Sequence, residues 1–288
     1  DHNDSSPSRF VPMSSNSNIS ITFIGGGNMA RSLIGGMIQK GLPADKIKVS
    51  EPVAALAEAL AKDFSIATFN DNNQAAGNST IWVFAVKPQV MKSVCQQLAP
   101  LAQANKPLIV SIAAGINSQQ LDAWLGGNMP VVRIMPNTPA LLGAGASGLF
   151  ANAHVDAEQK RHAQDLMQAT GITVWIENEN LMDAVTAVSG SGPAYVFLLA
   201  EAMQAAGVAQ GLSEDAARAL TNQTLLGAAR MLAETGEPAD VLRQRVTSPG
   251  GTTQAAIESF EAQGFRGIVN KAIEAATQRG RTLSAAND

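Results

Sequence analysis

An apolar run, Ile21-Thr22-Phe23-Ile24, leads without a break into Gly25-Gly26-Gly27-Asn28-Met29-Ala30, and a helical pattern begins at once. Strand, then Gly-x-Gly-x-x-Ala, then helix is the setting that a dinucleotide-binding turn requires. Gly25 allows the sharp turn off the strand, Gly27 carries no side chain to block a pyrophosphate, and Ala30 is small enough for the helix to lie close on the sheet. A helix started this way directs its free N–H groups and the positive end of its dipole at the phosphates. Ile24, Gly25, Gly26, Gly27, Asn28, Met29 and Ala30 are therefore candidate cofactor contacts. A tight strand-to-helix turn with no ligand would use the same glycines; the further strands beyond weigh against it.

Short apolar segments at 20–25, 46–50, 65–69, 80–86, 107–112, 130–135, 146–150 and 172–176 alternate with helical patterns at 28–41, 53–62, 89–104, 117–125 and 156–169. Such alternation predicts an α/β Rossmann domain, with a doubly wound, mostly parallel sheet, over 19–178. Past about 178 the strand signals stop. Helices are expected at 179–188, 193–210, 213–235, 238–246, 252–262 and 265–285, which makes 179–288 an all-α domain. The stretch 193–210 is apolar around most of its circumference, and a helix of that kind must be covered on all sides. A small helical domain can hardly do that alone, so an obligate homo-oligomer is expected; a place at the centre of one subunit's own bundle is the alternative. Residues 1–18 are polar and bury too little to order by themselves. Met13 is the expected natural start, with the residues before it an expression remnant.

The chain has 288 residues, 45% hydrophobic and 15% charged, enough for two domains with a substantial core. A net charge of −4 without a basic stripe argues against nucleic acid as a partner. A single cysteine, Cys95, excludes an intrachain disulfide framework and a cysteine-based zinc site, and no metal is expected. No apolar run is long enough to span a bilayer and no secretory leader is visible. A cytoplasmic enzyme with no membrane partner is the simplest reading.

The strand ends carry the chemistry, because the carboxyl ends of such a sheet border the ligand crevice. The second strand ends Ser50-Glu51-Pro52, with Glu51 about twenty residues past the glycine turn. An acid there accepts hydrogen bonds from the adenosine ribose and repels a 2′-phosphate, which leans towards NADH. Ser50 is a hydroxyl and Lys48 is near, so use of both cofactors stays open. The fourth strand ends Ala85-Val86-Lys87-Pro88: small Ala85 permits close approach, and Lys87 could reach a ribose or phosphate or be a plain surface lysine. The next strand ends in the small residues Ala113-Ala114-Gly115, suited to the nicotinamide half. After Arg133-Ile134-Met135, two prolines bracket Asn137 and Thr138, a rigid turn that could hold both towards the nicotinamide carboxamide or serve only as a structural loop.

The helical half holds two glycine-rich motifs, Ser189-Gly190-Ser191-Gly192-Pro193-Ala194-Tyr195 and Ser248-Pro249-Gly250-Gly251-Thr252-Thr253. Backbone N–H groups and hydroxyls gathered at a helix start make a carboxylate-sized anion site. The only histidines are His2, His154 and His162, one in the tail and two expected to be exposed. Oxidising an alcohol needs a general base, whereas an imine arrives protonated or takes its proton from water or a hydroxyl. The histidine-poor chain therefore favours reduction of a C=N bond, although Lys87 could act as a base. A non-catalytic dinucleotide sensor is the alternative of another class. A β-hydroxyacid dehydrogenase is the other enzyme reading, and the lack of any lysine in 179–195 weighs against it.

Taken together, Phe23 to Ala30, Ala85 to Pro88, Met135 to Pro139, Ser189 to Tyr195 and Ser248 to Thr253 resemble Δ1-pyrroline-5-carboxylate reductase, the last enzyme of proline biosynthesis. The resemblance covers nearly all of 19–285. It implies a Rossmann domain followed by a helical dimerisation domain, NADPH or NADH as cofactor, and a cyclic imino acid as substrate. Homodimers are implied, in several members five to a decamer, with the substrate between one subunit's cofactor and a helical loop of its partner. By motif match, Ser248, Gly250, Gly251, Thr252 and Thr253 hold the substrate carboxylate, and Thr186 and Ser248 are the candidate catalytic residues, Thr186 lying near the ring nitrogen. Glu179 matches a substrate-side acid and Asn72 an adenine-side contact. Glu51 stands where some NADPH-using members carry a hydroxyl, and Arg245 near a position where some carry Asn.

Overall fold

The computed structural model describes residues 19–286; the expected polar tail at 1–18, with Met13 and His2, lies outside them. Eight strands form one sheet: β1 (Ile21–Ile24), β2 (Ile47–Ser50), β3 (Ala67–Phe69), β4 (Ile81–Phe84), β5 (Leu108–Ser111), β6 (Val131–Met135), β7 (Gly145–Ala151) and β8 (Gly171–Trp175). Their order is β3-β2-β1-β4-β5-β6-β7-β8. All neighbours are parallel except β6 and β7, so the last two strands run against the first six. This is the doubly wound α/β arrangement, with its order reversing between β1 and β4.

Helices α1 (Asn28–Gln39), α2 (Ala54–Phe64), α3 (Asn72–Ala76), α4 (Pro88–Asn105), α5 (Ser118–Trp124) and α6 (Ala157–Gln168) join these strands. Apolar spacing places Ala30, Leu33, Ile34 and Met37 of α1 on one face, and all four are buried. Leu33, Ile34 and Met37 each contribute about 1.5–3 kcal/mol over the exposed state. The helix stops in a Schellman turn: Gly41 N–H donates to Ile38 O and Leu42 N–H to Met37 O, with Gly41 at φ +104°. Capping boxes start α5 (Asn117 with Gln120) and α6 (Asp156 with Gln159). One apolar cluster gathers α1, β1 and β2 around Phe23; a second gathers α4, β4 and β5 around Trp82.

The strand register makes the carboxyl edge flush. Ile24 lies beside Ser50 on one side and Phe84 on the other, Phe84 beside Ser111, and Ser111 beside Arg133. The next residues along, Glu51, Gly25, Ala85 and Ile112, open the loops where ligands of such sheets bind.

Beyond the sheet come α7 (Met182–Val185), a π-helical turn (Thr186–Gly190), α8 (Gly192–Ala209), α9 (Glu214–Glu234), α10 (Ala239–Arg245), α11 (Thr252–Ala262) and α12 (Phe265–Ala286). The packing of the chain divides it into two units. The first runs to Ser191 and takes back the chain from Ala276 onward; the second is Gly192–Ala275. The sequence placed this division at 178/179. It shifts because Val185 packs on Gly148 and Gly190 on Met135, so both turns belong to the sheet's side. The chain returns because Gly280 and Leu283 of α12 pack against Asp183 and Gly115.

In the second unit, α8 has no buried residue; Phe197 is 62% and Leu198 66% exposed. The unit does not cover this helix with its own side chains. Among the described residues, no helix is long and apolar enough to cross a membrane, and no group of His, Cys, Asp or Glu is placed to hold a metal ion.

Candidate cofactor and substrate sites

Two glycines of the first turn are there for opposite reasons. Gly25 has φ +101°, and a Cβ there would lie 2.6 Å from the Ala85 carbonyl oxygen. Only glycine satisfies both the conformation and the space. Gly25 N–H donates to Ser50 O at 2.9 Å, and Ala85 N–H to Ile24 O at 2.8 Å, so three strand ends hold the turn. A Cβ on Gly27, by contrast, would meet nothing within 4 Å. Gly27 is the N-cap of α1, makes no side-chain cap, and the first turn contains no acid. Free N–H groups facing open space fit a pyrophosphate. The residues present thus suit a dinucleotide: Gly27, Asn28 and Met29 would face its phosphates, with Ile24, Gly26 and Ala30 as the frame.

Glu51 is 8% exposed and its Oε2 accepts from Gly26 N–H at 3.1 Å. Its backbone N–H donates to Phe69 O at 2.8 Å. The acid therefore braces the glycine turn from within, a task that the sequence did not reveal. The Ser50 hydroxyl donates to Asn72 Oδ1 at 2.6 Å, and Asn72 Nδ2 donates to Gln97 Oε1 at 3.3 Å. Ser50 and Asn72, expected near the adenosine half, are joined to each other beside Glu51; Gln97 was missed. Lys87 is exposed and precedes Pro88, the first residue of α4. Ala85 and Val86 are half-buried beside it. Ala113 N–H donates to Ser111 Oγ at 3.3 Å, and Gly115 takes φ +76°, with Ala114 half-buried between them.

Two expected contacts have intramolecular partners. Asn137 is buried, donates from Nδ2 to Ser189 O at 3.0 Å and accepts from Ala146 N–H at 2.9 Å. Both ends of its amide are spent tying the turn to β7 and to the π-helical turn. Of the pair expected at the carboxamide, only Thr138 is exposed. Glu179, expected on the substrate side, accepts from Ser118 N–H and Ser118 Oγ, both at 2.7 Å, and from Arg133 Nη1 at 3.0 Å. Its carboxylate neutralises Arg133 and holds the start of α5. The helical pattern at 117–125 placed that helix, but nothing local marked its acid partner 61 residues away.

The Thr186 hydroxyl donates to Met182 O at 3.0 Å, and the Ser189 hydroxyl to Val185 O at 3.0 Å. Thr186 opens the π-helical turn, where the sequence suggested plain helix to 188. Such turns are rare and concentrate at functional sites. In the second unit, Gly251 is the N-cap of α11, again with no side-chain cap and no acid in the first turn. Gly250 takes φ +73°; Ser248 and Thr252 are exposed and Thr253 half-buried. Arg245 pairs with Glu237 at 3.2 Å. His154 is exposed; His162 is half-buried, not exposed as expected, and faces Glu158 at 3.7 Å. Burial pushes the Cys95 thiol up to about 12, which leaves it unreactive at neutral pH.

The first unit is a nucleotide-type sheet and the second a helical body with a bare apolar helix, and known proteins combine the two. Residues 20–115 match the family model for NADP oxidoreductase, coenzyme F420-dependent, and residues 179–283 match that for pyrroline-5-carboxylate reductase dimerisation. A pyrroline-5-carboxylate reductase of Pseudomonas aeruginosa is 54% identical over 92% of this chain and 96% of its own length. The chain belongs to the pyrroline-5-carboxylate reductase family. The solved structure of the Coxiella burnetii reductase is similar, with TM-score 0.88 and 43% identity over 93% of this chain and 99% of that one. A Plasmodium falciparum pyrroline carboxylate reductase solved with NADP bound has TM-score 0.84 and 31% identity, covering 93% and 98% of the two chains. Membership accounts for the bare α8: the family carries a dimerisation domain over the stretch that includes it.

Proposed function

We propose that this chain reduces Δ1-pyrroline-5-carboxylate to proline, the last step of proline biosynthesis, as an NAD(P)H-dependent reductase of a C=N bond. When bound, the reduced dinucleotide supplies the hydride for the imine carbon. The observation that carries the reading is the pair of uncapped glycine-rich helix starts, one in each unit. The start of α1 takes the pyrophosphate; that of α11, with Ser248, Gly250, Gly251, Thr252 and Thr253, takes the substrate carboxylate. Each offers the free N–H groups of its first turn, at Asn28 and Met29 or at Thr252 and Thr253, and a favourable dipole to an anion, with no acid in that turn to oppose it. Fixing both ends of the reacting pair is the main catalytic work, since oriented reactants gain most of their rate from position.

The proton for the ring nitrogen needs no histidine. The Thr186 hydroxyl spends its hydrogen on Met182 O and offers lone pairs to an N–H that is already there. A substrate that binds as the protonated iminium, oriented by Thr186, suits that polarity. Glu51 leaves NADH and NADPH both in play: its Oε2 is engaged by Gly26 N–H, so its repulsion of a 2′-phosphate is partly offset. The working form is a homodimer that buries α8, and decamers of five such dimers are the further assembly. The lone buried thiol suits a reducing cytoplasm.

The test is oxidation of NADH and of NADPH, side by side, with pyrroline-5-carboxylate. Turnover with at least one is expected, and none with either would overturn the reading. A strong preference for NADPH would remove the role of Glu51 alone.

A further inference from the structure

A cleft of about 420 Å³ lies in the first unit, and no residue of either helix start lines it. Its lining includes Asn117, Arg133, Glu179, Asp183, Arg281 and Ser284, together with the amides of Gln119 and Asn180. Every lining side chain is polar, and four of them are charged. Two of the charges cancel internally: the Arg133 guanidinium, 6% exposed, is paired with Glu179, whose carboxylate is also held by Ser118. The other two do not. No hydrogen bond or ion pair joins the Asp183 carboxylate or the Arg281 guanidinium to another described residue. Asp183 is held in place sterically, since its Oδ1 lies where a Cβ on Gly280 would come within 2.6 Å. That contact brings the last turns of α12, with Arg281 and Ser284, to the cleft.

The cleft thus presents one unpaired acid and one unpaired guanidinium, with neutral amides and a hydroxyl around them. An anion would gain from Arg281 and be opposed by Asp183; a simple cation would meet the reverse. A molecule carrying both signs a few atoms apart satisfies both. We propose that this cleft binds a small zwitterionic α-amino acid, its carboxylate on Arg281 and its ammonium on Asp183. A guanidinium holds a carboxylate by two parallel hydrogen bonds, and a carboxylate accepts readily from an ammonium. Asn117, Asn180 and Ser284 are placed to take what polarity the side chain offers. None of its charged residues belongs to either helix start.

The test uses the full-length protein and equilibrium binding by titration calorimetry. Each protein amino acid is titrated, with acetate and ethylamine as ligands carrying one sign only. At least one amino acid is expected to bind saturably, ten-fold or more tighter than either half. Arg281→Gln, at an exposed position, and Asp183→Asn are each expected to weaken that binding at least ten-fold, while Thr253→Ala, in the other unit, leaves it unchanged. Arg281→Lys is expected to recover part of the loss. If no amino acid binds, or if Arg281→Gln binds as the parent does, the proposal is overturned. Binding lost in Thr253→Ala and kept in Arg281→Gln would overturn it as well, by assigning the ligand to the substrate loop.

Discussion

The helix starts of α1 and α11 use the same device in opposite surroundings. At α1, the glycine turn is pinned by three strand ends and a buried acid, and a Cβ on Gly25 would collide with backbone. At α11, a Cβ on Gly250 would meet nothing within 4 Å, and most of the loop is exposed. One turn is held by three strands and packed backbone; the other is an exposed loop whose Gly250 N–H donates to Gln254 Oε1 and whose Gly251 N–H donates to Ser248 O. The difference fits the sizes of the two anions. A dinucleotide spans several strand ends and needs a level platform. A single carboxylate needs only a few N–H groups.

Substitutions can break this comparison in order of expected effect. Gly25→Ala adds a clash with the Ala85 carbonyl to an unfavourable positive φ, and should cost about 2–4 kcal/mol. Loss of cofactor binding with a clear fall in melting temperature is expected; a wild-type melt would refute the pinned turn. Leu198→Glu on α8 asks whether the second unit is completed by another copy. Sedimentation should show the dimer weakened roughly thirty-fold or more, as when a buried anchor is lost. An unchanged dimer would move the interface elsewhere.

Thr253→Ala should raise KM for the imino acid about ten-fold with a smaller fall in kcat, the pattern of lost ground-state binding. Steady-state kinetics check this, and unchanged values remove the carboxylate loop from α11. Gly27→Ala should leave the melt intact, because the position is open at φ −75°. It should still raise KM for the cofactor roughly five-fold, about 1 kcal/mol of lost approach. Gly250→Ala should be mildest at the cofactor, leaving its KM unchanged, while the positive φ lowers stability by about 1–2 kcal/mol.

Much of the first unit was legible because its signals are local. An apolar strand, a glycine turn and a 3.6-residue pattern each occupy a few consecutive residues, and all eight strands and the main helices lie where that pattern puts them. The short α3 and the π-helical turn were not read. The first is too brief for periodicity; the second depends on Gly190 meeting Met135, far away in sequence. The same limit applies at the sites. Gly25 and Gly27 announce themselves, whereas the Glu179–Arg133–Ser118 cluster joins residues between 15 and 61 positions apart and carries no local mark. The rigid turn around Asn137 was legible, but not that its amide bonds Ser189 and Ala146.

The return of α12 to the first unit has a consequence for how this protein can be cut. The second unit, Gly192–Ala275, is an insertion within the first, not a module appended to it. A stop after Ala275 would not yield a trimmed nucleotide domain. It would strip the packing of Leu283 on Gly115 and of Gly280 beside Asp183. To isolate the sheet with its own surface intact, residue 191 must be spliced to residue 276, so the last described residues belong to the domain with which the described chain begins.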